Sequence, residues 1–102
     1  MGAQDFYQEG EGSTAEEAFR TARKDACYEQ GHGGYSGTLA EKHSFVLIHC
    51  PEGIQPEQLA DQLIENDDKR ISDKWGPAGC IKVKTDKNSG LSTYLFFGWA
   101  SS

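Results

Sequence analysis

Four glycines fall among the first seven positions of the stretch from Gly31 to Lys42 (Gly-His-Gly-Gly-Tyr-Ser-Gly-Thr-Leu-Ala-Glu-Lys), with His32, Tyr35, Ser36 and Thr38 set between them. Glycine loses more backbone freedom on folding than any other residue, so such a cluster signals left-handed backbone or close approach of a ligand to main-chain N–H groups. The residues suit one kind of chemistry. Main-chain donors at Gly33 and Gly34 with the Ser36 and Thr38 hydroxyls can hold a phosphate, the Tyr35 ring can stack on a base, and Lys42, His43 and His32 supply positive or titratable groups beside them. The stretch follows the C-terminus of a predicted helix, where the helix dipole is negative, so neither a Walker loop nor a dinucleotide fingerprint is supported. A plain glycine turn leading into a strand, with Tyr35 packed on the core, uses the same residues and stays open.

A second cluster, Lys69, Arg70, Lys74, Trp75, Gly76 and Pro77, joins cations to an aromatic ring. Trp75 can stack on a base while the cations meet phosphates, or cover the edge of the core in a solvated turn. The cluster gains meaning only if it folds against the glycine-rich stretch. An acid/base set can be drawn from His32, Glu41, His43 and His49, and a nucleophile from Ser36 or Cys50 with His43. No elbow motif surrounds either nucleophile, and His49, inside an apolar run, reads as a core or interface histidine. Cys27, Cys50 and Cys80 are odd in number and widely spaced, which fits reduced thiols better than a disulfide framework or a zinc site. No catalytic residue, metal or cofactor is assigned. The expected ligand contacts are His32, Gly33, Gly34, Tyr35, Ser36, Thr38, Lys42 and Trp75.

The elements that must position these residues follow from periodicity. Phe6 and Tyr7 suggest a short edge strand. Ser13 and Thr14 precede Glu16 and Glu17 at capping-box spacing, and Ala15, Ala18, Phe19, Ala22 and Ala26 then recur at helical intervals, with Gly31 as the expected C-cap. Ser44–Cys50 is a nearly continuous apolar run and predicts a central strand covered on both faces. Pro56 opens a second helix with Leu59, Ala60, Leu63 and Ile64 as its apolar stripe, ending at Asn66-Asp67-Asp68. From Gly79, Ile81 and Val83 alternate with Lys82 and Lys84, the turn Asp86–Gly90 follows, and Leu91–Ala100 completes a hairpin with large side chains on both faces. One α+β domain over residues 1–102 is predicted, a two-layer sandwich with two helices on one face of a mostly antiparallel sheet.

At 102 residues, 36% hydrophobic and 25% charged, the composition is that of a soluble globular domain. A net charge of −6 repels a phosphate backbone, which disfavours duplex nucleic acid. No apolar run reaches a membrane span, and the first residues lack the pattern of a signal peptide, so the cytoplasm is the expected location. A small core under an aromatic strand predicts a homo-oligomer. An adaptor working through Tyr94, Phe96 and Trp99 is a further possibility.

Ala18-Phe19 followed by Tyr28-Glu29-Gln30-Gly31-His32-Gly33-Gly34-Tyr35-Ser36-Gly37-Thr38-Leu39-Ala40-Glu41-Lys42 resembles small proteins encoded by bacteriophages and by bacterial genomes carrying phage remnants. The resemblance brings no catalytic residues. It implies a setting, antagonism of host defence, in which one strategy is to sequester a nucleotide-derived immune signal without cleaving it. The combined expectation is non-enzymatic binding of a nucleotide-like ligand. The alternative is a small hydrolase or transferase on such a ligand, with His32 and Glu41 or His43 as acid and base.

Overall fold

The computed structural model describes residues 3–30, 42–73 and 76–101. Six elements follow one another: β1 (Ala3–Gly12), α1 (Ala15–Gln30), β2 (Phe45–Leu47), α2 (Pro56–Glu65), β3 (Ala78–Thr85) and β4 (Ser92–Ser101). The strands form one sheet in the order β1-β4-β3-β2. β4 pairs antiparallel with β1 and with β3, and β2 pairs parallel with β3. The α+β class and the mostly antiparallel sheet are as the sequence predicts.

The placement of the helices is a correction. Alternate residues of β4 belong to two separate cores. Tyr94 and Phe96 pack with Phe6, Cys80 and the α1 stripe Ala18, Phe19, Ala22 and Ala26. Leu95 and Phe97 pack with Ile81, Ile71 and the α2 stripe Ala60, Leu63 and Ile64. Successive strand residues point to opposite faces, so the helices cover opposite faces and the domain has three layers. Chain direction explains this. β1 to β2 advances across the sheet, β2 to β3 steps back, and right-handed crossovers in opposite directions place their helices on opposite sides.

α1 starts as its sequence dictates. The Glu17 N–H donates to Thr14 Oγ1 at 3.1 Å while Ser13 donates from its main chain and hydroxyl to the Glu17 carboxylate, at 3.4 and 2.9 Å. Its alanine face lets it lie against β1 so closely that a Cβ at Gly10 would stand 2.5 Å from the Ala18 carbonyl oxygen. Across the sheet, Phe19, Phe45 and Phe96 form an aromatic cluster with ring centroids 5.0 to 5.9 Å apart.

Two further expectations are corrected. Among the described residues β2 is an edge strand of three residues paired with β3 alone, with Phe45, Val46 and Ile48 covered by the helices and Leu47 60% exposed. Of the aromatic residues expected to form an interface core, Tyr94 and Phe96 are already buried under α1, while Trp99 is half-buried. In β3 the register slips between Lys82 and Lys84, with Lys82 opposite Tyr94 and Lys84 opposite Thr93. This bulge interrupts the strict alternation that the sequence predicts for the strand.

Candidate functional site

The geometry gathers at the end of the sheet where β2 and β3 begin. Lys42, three residues before β2, is 1% exposed. Its ammonium donates to the main-chain oxygen of Asp73 at 3.2 Å and to that of Gly76 at 3.0 Å. Two main-chain bonds support the same junction: the Gly76 N–H donates to the Asp73 oxygen at 2.9 Å, and the Ala78 N–H donates to the Ser44 oxygen at 3.0 Å. Burial lowers the Lys42 pKa, with the Asp73 carboxylate acting the other way. A buried ammonium persists when carbonyl oxygens replace its water, and here they do.

The loop that enters β3 is anchored from below by Ile71, 1% exposed and packed with Leu63, Ile64, Ile81, Leu95 and Phe97. Arg70 folds back on Asp68 with Nε and Nη2 donating to the two carboxylate oxygens at 2.9 and 3.0 Å. That hydrogen bonding holds the Asp68 carboxyl below its usual range. Arg70 is therefore engaged locally, while Lys69 is exposed. Trp99 lies near the C-terminal end of β4, at the same end of the sheet, and its indole nitrogen is buried without a hydrogen-bond partner among the described residues.

His32, Gly33, Gly34, Tyr35, Ser36, Thr38 and Trp75 lie outside the described residues, as do Gly31, Glu41 and Lys74. Of the expected ligand contacts, Lys42 is the one whose surroundings are defined. Its side chain is turned inward to the loop before β3, so Lys42, which ends the glycine-rich stretch, and Ser44 are fastened to Asp73, Gly76 and Ala78, which flank Trp75 in the sequence. Whether Trp75 itself meets the glycine-rich stretch falls on residues outside those described. Sequence reasoning missed this tie because a lysine after a glycine loop reads as a free cation.

The other candidates are spread apart. His43 is exposed and borders a hollow of about 320 Å³ with Glu16, Phe19, Ser44 and Phe45. His49 is exposed too, not buried in a core as the apolar run suggests. The Cys50 thiol donates to the Ile54 oxygen at 3.2 Å, and Cys80 is fully buried, which pushes its thiol up to about 12. A groove of about 580 Å³ lies toward the opposite end of β3, lined by Leu47, Ile48, His49, Cys50, Lys82, Val83 and Lys84. Its outline depends on the early end of β2 and on the bulge in β3, neither of which the apolar pattern reveals. Among the described residues no three His, Cys, Asp or Glu side chains gather as a metal site, and no helix is long and apolar enough to cross a membrane. Compared with known proteins, the chain matches no family model, no curated protein and no solved structure.

Proposed function

We infer that the protein is a non-enzymatic binder that sequesters a nucleotide or nucleotide-derived signal, in the setting of phage counter-defence that the glycine-rich block implies. The observation that carries this reading is the Lys42 tie: it fastens the last residue of the glycine-rich stretch to Asp73 and Gly76, on either side of Trp75 in the sequence. Two segments rich in ring and donor chemistry, remote in sequence, thereby share one anchor. Gly33, Gly34, Ser36 and Thr38 would donate to phosphate, Tyr35 and Trp75 would stack on bases, and His32 would add a donor. Lys42 in this reading acts one step back, by holding the two segments together. Sequestration needs shape, donors and stacking, whereas an enzyme must also bring an acid/base pair to a reacting atom. The protein works as a homo-oligomer in the cytoplasm of the host cell.

The test is to incubate the purified chain with a panel of cyclic and linear nucleotides, separate bound from free, and release the bound fraction by heat. The reading expects one nucleotide class to be retained and recovered chemically unchanged. Tyr35→Ala with Trp75→Ala should lower its affinity at least tenfold, since stacking is worth about 1–3 kcal/mol per base. Recovery of a cleaved or transferred product would establish the enzyme alternative, and no retention of any nucleotide would overturn both.

A further inference from the structure

Among the described residues the sheet ends in two open edges of opposite charge. On one side β1 pairs with β4 and has no strand beyond it among the described residues. Its exposed side chains include Asp5, Glu9 and Glu11, with no cation in the strand. On the other side β2 covers β3 only from Ala78 to Cys80, and the last main-chain bond between the two segments runs from the Ile48 N–H to the Cys80 oxygen. Strand alternation aims the main-chain groups of Lys82 in the direction of those of Cys80, toward the side that β2 has left. The groove there is lined by Lys82, Lys84 and His49 with Leu47, the most exposed large apolar side chain described, and among the described residues by no carboxylate.

We propose that a second copy of this chain docks its acidic β1 edge onto the basic free edge of β3, continuing the sheet from subunit to subunit. Charge selects this pairing over its rivals. Two β1 edges together would set Asp5, Glu9 and Glu11 against one another, and two β3 edges would oppose lysines, so like pairings are penalised. Only the unlike pairing brings both opposite charges and unpaired main-chain groups together. Leu47, beside the groove, gains cover. The contact joins different patches of the two copies, so it is head-to-tail and builds a ring where the rotation closes and a filament where it does not. This deepens the homo-oligomer of the functional reading and does not depend on which ligand, if any, is bound.

Sedimentation velocity on the full chain at submillimolar concentration tests the proposal. In about 0.05 M salt the mean mass should exceed the 11.2 kDa of one chain, and it should fall toward that value in about 0.5 M salt, where exposed charges are screened over a few ångströms. Glu9→Lys with Glu11→Lys should be monomeric, and so should Lys82→Glu with Lys84→Glu. All four positions are exposed, so circular dichroism should be unchanged. Mixing the two variants one to one makes both contacts complementary again and should restore association. A monomeric parent chain at low salt, association retained by either double variant, or a mixture that stays monomeric would each overturn the proposal. Nucleotide retention measured on the same variants separates its failure from failure of the ligand reading.

Discussion

Replacing Lys42 with Met keeps most of the buried aliphatic stem and removes the ammonium, so it isolates the tie between the start of β2 and the loop before β3. The Asp73 oxygen keeps its bond from the Gly76 N–H, whereas the Gly76 oxygen loses the Lys42 donor. Hydrogen bonds from a charged donor contribute about 1.5–3 kcal/mol each, and a buried acceptor left without one costs about 1–3 kcal/mol. Relief of the ammonium's burial offsets part of this, so the net loss is about 2 kcal/mol, or roughly 10 °C in melting temperature for a domain of this size. The pH dependence provides an independent check. Burial lowers the folded-state pKa of Lys42 below the usual 10.5, so between the two values the unfolded chain binds more protons. Stability therefore rises with pH across that window in the parent chain, and Lys42→Met lacks this component of the rise. A neutral amine still offers two N–H groups for the two oxygens. Urea titrations of both proteins from about pH 8 to 10.5 should show the parent's advantage widening. An unchanged melting temperature together with a pH-independent difference would refute the argument that Lys42 is a structural tie.

Gly10→Ala should destabilise by about 1–3 kcal/mol in chemical denaturation, because its Cβ would meet the Ala18 carbonyl oxygen and Ala22 Cβ at 2.5 and 2.7 Å and backbone has little room to move. Thr14→Ala should cost about 1 kcal/mol by removing the hydroxyl that accepts from the Glu17 N–H, measurable as a lower denaturation midpoint with unchanged slope. Cys80, buried and with its thiol pushed up to about 12, should resist iodoacetamide at pH 8 until the chain unfolds, while half-buried Cys50 is modified first, as peptide mass mapping would report.

Much of the fold is legible locally. Ser13, Thr14 and Glu17 announce the start of α1, and Pro56 with Leu59, Ala60, Leu63 and Ile64 gives α2. The alternation after Gly79 and the Asp86–Gly90 turn give the hairpin. What is not legible depends on strand order. Nothing in Ser44–Cys50 reveals that β2 lies at an edge, since its apolar residues are covered by α1 and α2 and not by strands on both sides. The opposite placement of the helices follows from β2 stepping back to β3, a reversal no window of sequence contains. Large residues on both faces of β4 read as a surplus when both helices are placed on one face, whereas each face has its own helix. At the candidate site, the glycine and ring chemistry is visible in the sequence, whereas the inward turn of Lys42 arises from loops thirty residues apart.

β4 lies between β1 and β3, yet it comes last of the four strands in the chain. On a ribosome, β1, α1, β2, α2 and β3 must all emerge before the strand that joins the two sides of the sheet exists. Until then, Phe6 and the α1 stripe have no Tyr94 or Phe96 to cover, and Ile81 with the α2 stripe has no Leu95 or Phe97. Synthesis therefore cannot lock in the domain piece by piece. Both cores close in one late step of long-range pairing, which places folding in the slower, millisecond-to-second regime of non-local topologies. A stop codon before β4 removes the shared wall of both cores at once, leaving two sticky halves for chaperones and proteases to clear.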